Sequence, residues 1–488
     1  MKILRLHIVR LLLMTLVVLP AATSCYNYDE EEIISNSNQY INVTISVSAS
    51  DNAVTRAPQG GEYGDGTEKG QEERENKVNK ITLIFYEDHV GINTTGDATT
   101  VTCVQTYNVR KFTESDYNKF HDHKPAESTD LKENEVLYTT GDQKIEGTGL
   151  EAGKTYKLLV VANADVSIKV GDKIKTVGTT PGVRDLVLDN IYEGTGKGID
   201  AQNFVMASET DAEVILANPT IKAEENKAIY YFNCIHMERL AARIDYCTRG
   251  ATYDSGKGGY KYLVGADESK GFYIVTKVTP FNLYNEQEYL FKRVSSGWDG
   301  TPAITYLGDE TTTNYVIDPK TADKNNTETT IKYLSPMTEL ESPSNSFSQV
   351  MADVYLTHAI TDGSGNNIII AYPRENTLIP SSLLNKYATG IAFETKYYSN
   401  PSATPITRVY YHYLRHQGEH TDATAYQAKA VTSLADDSQA CGNTPAMNFG
   451  IVRNNIYRVE ISGFTEKGIK LLIKVKKWDK FKHAPIYM

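Results

Sequence analysis

The sequence predicts a mainly β protein, and three observations predict it. Tyr outnumbers Phe 33 to 13, Met occurs only 8 times, and Thr and Asn are frequent, a composition suited to pleated, half-buried surfaces rather than helical bundles. Apolar and polar residues alternate with period two in several stretches, most cleanly at Tyr40–Ser48 and Lys467–Trp478. Gly, Asn and Pro fall between these stretches, as expected of short strands joined into β-sandwiches. The 488 residues suit about three domains, or two larger ones, at roughly 150 residues each. Hydrophobic residues at 40% and charged residues at 23% exclude a wholly disordered chain and a polytopic membrane protein. A net charge of −11 argues against a nucleic-acid partner.

The first segment reads as an address. Lys2, Arg5 and Arg10 are a basic start, Leu11–Leu19 is an apolar run too short to span a bilayer comfortably, and Ala22-Thr23-Ser24-Cys25 follows. This pattern resembles a bacterial lipoprotein signal over residues 1–24, cut before Cys25 with lipid on its thiol; a simple secretory peptide cut near Ala22–Ser24 is the alternative. The acidic cluster Asp29–Glu32 is either a surface-export signal of such lipoproteins or a solvated tether. Cys103, Cys234, Cys247 and Cys441 are far apart and form no CxxC pair, so zinc-site spacing is absent and buried free thiols are expected.

A strand comes next. Ile41, Val43, Ile45 and Val47 share one face, and Asn42, Thr44, Ser46 and Ser48 the other. Burying those four apolar side chains is worth about 6–12 kcal/mol before entropy is charged, comparable to the stability of a whole domain. Yet the strand leads through Arg56-Ala57-Pro58 into Gly-rich sequence at Gln59–Gly66 and a charged stretch at Glu68–Lys77, which is expected to be mobile and open to a trypsin-like protease. A cut at Arg56 would detach the strand covalently and leave a groove with unpaired edges that demands another strand.

Further strands are expected at Lys80–Tyr86, Val101–Val109, Thr155–Ala162, Ala228–Phe232, Ile368–Tyr372, Ile406–Tyr413 and Ile456–Ile461. One short helix is expected after Thr180-Pro181, where Val183, Leu186, Val187 and Ile191 have helical spacing. Met237–Asp245 reads equally as helix or strand, and the polar stretch Glu224–Lys227 marks a boundary between domains at 57–225 and 226–488. Near the end, Leu471, Ile473 and Val475 line one face of an alternating strand. That strand, or the tail Asp479–Met488 with Phe481, Ile486 and Tyr487, is the candidate donor for a neighbour's groove; otherwise it is the last strand of its own domain.

Signals for chemistry are weak. His412, His416 and His420 would share a helix face, but the flanking residues read as strand, where residues four apart are about 13 Å apart and cannot share an ion. His121-Asp122-His123 sits in a polar loop, and Asp362–Asn366 lacks the Glu of a calcium loop, with Pro373 in its place, so a hairpin turn is the reading there. No GxSxG, phosphate-binding or dinucleotide fingerprint stands in a strand-to-helix context. No enzyme, metal or cofactor is expected.

Several motifs together resemble the fimbrillin superfamily of Bacteroides-type bacteria, the subunits of type V pili, and most closely its stalk-forming members. They are Pro445–Tyr457 (PAMNFGIVRNNIY), Tyr410–His416 (YYHYLRH), Thr155–Asn163 (TYKLLVVAN), Met237–Ile244 (MERLAARI) and the Val475–Trp478 ending. The resemblance implies two transthyretin-like β-sandwich domains in tandem, export as a lipoprotein through Cys25, and anchoring in the outer membrane at the cell surface. It further implies cleavage at Arg56-Ala57 by an Arg-specific protease and loss of the 25–56 propeptide with its Ile41–Val47 strand. Polymerisation with other copies or related pilus subunits by strand exchange then supports adhesion to host or bacterial receptors. The donor's limits do not carry over, because the tail beyond Trp478 is short and holds Pro485. The alternatives are an anchoring or tip subunit of such a pilus, or a glycan-binding surface lipoprotein whose Tyr residues form a platform.

Overall fold

A computed structural model describes residues 38–47, 75–87, 99–113, 116, 136–145, 149–151, 153–194, 201–209, 212–215, 220–222, 227–295, 314–326, 330–334, 367–415, 418–420, 446–465 and 468–477. They form a mainly β structure of one eleven-stranded sheet, two five-stranded sheets and two small ribbons.

The large sheet has the spatial order Val101–Asn108, Lys80–Tyr86, Thr155–Ala162, Met206–Ser208, Lys227–Arg239, Asn38–Val47, Val136–Thr139, Arg110–Lys111, with three short strands paired off this path. Lys80–Tyr86 (KITLIFY) is paired antiparallel on both sides and buried from Ile81 to Tyr86. Its run of apolar residues on both faces is the mark of a strand with material above and below.

The N-terminal strand Asn38–Val47 lies inside this sheet. It runs parallel to Lys227–Arg239, from Asn38 opposite Lys227 to Val47 opposite Met237, with one register shift between Val43 and Ile45. Along its other edge it pairs antiparallel with Val136–Thr139 and Gln143–Lys144. Ile41, Val43, Ile45 and Val47 enter the core with Leu83, Phe85, Tyr156 and Met237. The polar face is buried as well: Asn42 is 9% exposed, Thr44 2% and Ser46 1%.

The remaining sheets face one another across a second core. In one, Arg243–Cys247 runs parallel to Asn455–Thr465 and antiparallel to Asn367–Ala371, and Gly468–Lys477 lies between Asn455–Thr465 and Gly418–His420. The other has the order Thr252–Asp254, Gly259–Leu263, Phe272–Phe281, Gly390–Tyr398, Ile406–Tyr413. Tyr246, Val459 and Ile473 from the first meet Tyr273, Phe393 and Tyr410 from the second.

Two expectations change. The helix after Pro181 is a single 3-10 turn at Val183–Asp185. Asp185 folds its carboxylate back onto the Gly182 N–H at 2.9 Å, and Val187–Leu188 then pairs with Glu288–Tyr289, so tertiary pairing overrides the helical spacing. Met237–Asp245 is neither a helix nor one strand but the end of one strand and the start of another, joined through Leu240–Ala242. The chain passes from the large sheet to a five-stranded sheet at Leu240–Ala242. Cys103 and Cys247 are buried free thiols, and burial pushes Cys103 up to about 11.

Candidate site for subunit joining

The sequence of the N-terminal strand shapes a slot around it. Its backbone is engaged along both edges, and a few polar side chains fix its register. Asn42 donates from Nδ2 to Asp142 Oδ1 at 2.9 Å and accepts from Thr139 Oγ1 at 2.9 Å. Thr140 Oγ1 accepts the Val43 N–H at 3.0 Å, and the Thr140 N–H returns a bond to the Val43 carbonyl at 3.0 Å. Thr44 Oγ1 is buried without a hydrogen-bond partner among the described residues, one polar group that the slot leaves unsatisfied. Without this strand the Lys227–Arg239 strand would face an empty channel on one side, and Val136–Thr139 and Gln143–Lys144 would lose their neighbour on the other. Such a channel, one strand wide with hydrogen-bonding groups on both banks, can accept one strand.

Where the described chain resumes, at Glu75, it is clamped. Glu75 Oε2 accepts from Arg243 Nη1 at 3.1 Å, Glu75 Oε1 accepts from the Tyr372 hydroxyl, and the Glu75 carbonyl accepts from Arg239 Nε at 3.0 Å. Asn76 Oδ1 accepts from Arg239 Nη2. Arg243 forks onto Asp245 with two bonds of 2.7 Å, and Arg458 reaches the same carboxylate at 3.2 Å. Burial works against the Asp245 charge, but Arg243 more than offsets it and holds the carboxyl below its ordinary value.

A second buried charge cluster lies nearby. Arg453 donates to Glu375 Oε2 from Nε at 3.2 Å and Nη2 at 3.0 Å, and to the carbonyls of Tyr289 at 2.6 Å and Leu290 at 3.1 Å. Glu288 stands 3.5 Å from the same guanidinium, with Oε2 lacking a partner among the described residues. Burial pushes Glu288 up to about 8, with Arg453 pulling the other way. These clusters were not singled out in the sequence, although the arginines sit in its clearest motifs: Arg239 and Arg243 in MERLAARI, Arg453 in GIVRNN. A charge inside an otherwise apolar strand pattern was the available signal.

Of the site residues read from the sequence, Ile41, Val43, Ile45 and Val47 are together in the slot. Leu471, Ile473 and Val475 are buried in the second core, on a strand fully paired with Asn455–Thr465 of the same chain. Cys25, the Arg56-Ala57 bond and the tail Trp478–Met488 lie outside the described residues, as do the side chains of Cys234, His416 and His420. His412 is buried within Ile406–Tyr413, and among the described residues no three His, Cys, Asp or Glu side chains converge as a metal site.

No family model matches the chain, and no curated protein matches it. Its structural neighbours are fimbrial and cell adhesion proteins. The tip fimbrial protein Mfa3 of Porphyromonas gingivalis, with a C-terminal truncation, aligns over 90% of this chain and 100% of its own at 11% identity and a TM-score of 0.39. A putative cell adhesion protein of Parabacteroides distasonis aligns over 92% and 99% at 11% identity and a TM-score of 0.36. A fimbrial assembly protein of the same species aligns over 90% and 97% at 12% identity and a TM-score of 0.35.

Proposed function

We propose that the chain is a structural subunit of a cell-surface fimbria of the type V kind, made as a lipoprotein precursor and joined to its neighbours by donor-strand exchange. One observation carries the reading: an N-terminal strand is buried on both faces and bonded along both edges, yet in sequence it is followed by Arg56 and then by the Gly-rich stretch Gln59–Gly66. On this reading Cys25 bears the lipid, cleavage between Arg56 and Ala57 cuts the strand's covalent tie, and a segment of the next subunit takes its place. The Glu75 clamp keeps the new front of the chain attached while the strand departs. Replacing Arg56 with Ala is the test: precursor monomer is expected to accumulate on the cell surface, and the high-mass, heat-labile ladder of the wild type to disappear. A ladder unchanged in the variant refutes the reading.

The incoming segment is the tail. Leu471, Ile473 and Val475 already serve this chain's own core, so the Gly468–Lys477 strand is not free to leave without opening it. Trp478–Met488 is eleven residues long, enough to span a slot occupied by ten. Its weak alternation and Pro485 support a second reading, a tip subunit that receives a strand without donating one. Deleting Asp479–Met488 separates the two: loss of self-assembly marks a stalk subunit, and unchanged assembly into the fimbria marks a terminal one.

A further inference from the structure

Away from the slot, a lysine is sealed against a carboxamide. Lys324, in the 3-10 turn Asp323–Asn325, and Asn376, beside Pro373–Glu375, are both 0% exposed. The Lys324 Nζ donates to Asn376 Oδ1 at 2.8 Å, to Asp318 Oδ2 at 2.5 Å and to the Thr377 carbonyl at 3.1 Å, so its three donors are all directed. The ring of Tyr284 covers it, with Nζ 4.6 Å from the centroid. The carboxamide is held as firmly: Nδ2 donates to the Tyr387 carbonyl at 2.8 Å and to Thr389 Oγ1 at 3.1 Å, and Oδ1 also accepts from the Tyr333 hydroxyl at 3.4 Å. Asp318 is fixed by the N–H groups of Lys320 at 2.8 Å and Thr377 at 2.7 Å.

This is more than an ion pair requires. An amine, a proton acceptor and an amide carbonyl are held within contact of one another in a site closed to water. Since the carbonyl carbon lies about 1.2 Å from Oδ1, Nζ is within about 4 Å of it. Burial holds the Lys324 amine below the ordinary lysine value, with Asp318 and Glu375 opposing, which favours a free lone pair.

We propose that Lys324 and Asn376 join through an intramolecular amide bond, formed by the folded chain itself with Asp318 as the proton carrier. Asp318 takes a proton from the Lys324 ammonium, and the Nζ lone pair attacks Asn376 Cγ. The Tyr333 hydroxyl hydrogen-bonds the oxygen as negative charge develops on it. The Nζ–Cγ bond forms, the Cγ–Nδ2 bond breaks, and Nδ2 leaves with protons from Asp318 and Nζ. One ammonium and one carboxamide become one secondary amide and one ammonium ion, with nothing oxidised or reduced. The product ties the loop at 318–326 to the segment after Asn367–Ala371.

The experiment compares the folded chain recovered from the cell surface with a Lys324→Arg variant prepared in the same way, each mass set against the N-terminus found by sequencing. The expected result is a wild-type mass lower, relative to the variant, by one ammonia beyond the substitution itself. After digestion, the peptides containing Lys324 and Asn376 are expected as a single branched species. An Asp318→Ala chain is expected to show both peptides separate, even where it remains folded. Wild-type chain with no ammonia lost relative to the variant, and with two separate peptides, overturns the proposal, leaving Lys324 as a buried ion-paired side chain. A loss of water with Lys324 linked to Asp318 overturns it as well, since Asp318 would then be the acceptor rather than the carrier.

Discussion

Glu288 shows how a single buried carboxyl makes stability depend on pH. Its pKa in the fold is about 8, above the ordinary glutamate value, so the folded chain binds a proton there that the unfolded chain has released. The stabilising contribution is therefore present below the ordinary value and is lost as pH rises through the window up to about 8. Glu288→Gln is expected to flatten this fall, by at most about 1.4 kcal/mol per pH unit, measured as urea midpoints between pH 5 and pH 8. Arg243, fully buried between Glu75 and Asp245, is a different case: Arg243→Ala leaves both carboxylates without their shared cation and is expected to cost about 3–5 kcal/mol. In the N-terminal strand the proposed function makes a differential prediction. Ile45→Ala is expected to destabilise the precursor by about 2–5 kcal/mol and to leave the thermal stability of assembled fimbriae unchanged, since the strand is then gone. Equal losses in both would mean that the strand stays.

At the scale of elements, legibility followed the period of the pattern. Thr155–Ala162 and Ile406–Tyr413 have the bounds that their apolar runs suggested, because β-branched and aromatic residues between turn signals leave little else for the chain to do. The turn after Pro181 was misread because an apolar spacing of three and four also arises when an irregular segment drops Val183 and Ile191 into a core. The buried polar face of the N-terminal strand was not legible either. Asn42, Thr44 and Ser46 look like solvent residues in a period-two pattern, and only their partners Asp142 and Thr139, about a hundred positions away, turn Asn42 into an interior group. The slot was thus half visible: its apolar floor is local, its polar wall is not. Replacing Asn42 with Ala removes both bonds, and the precursor is expected to lose about 1–3 kcal/mol in denaturant titration.

For the whole molecule, the large sheet and the paired sheets are joined by buried charge rather than by apolar contact alone. Glu75 and Arg239 from one side meet Arg243, Tyr372 and Asn454 from the other, so the relation between the two cores is fixed by directional bonds. The neighbours of the N-terminal strand add a last consequence. One bank of its channel runs parallel to it and the other antiparallel, so a substitute entering backwards would exchange the two kinds of ladder and lose the register that Asn42 and Thr140 fix. On the proposed reading, a chain of subunits linked through such a channel would have an arrow: every joint would point the same way, and the two extremities would be chemically unlike.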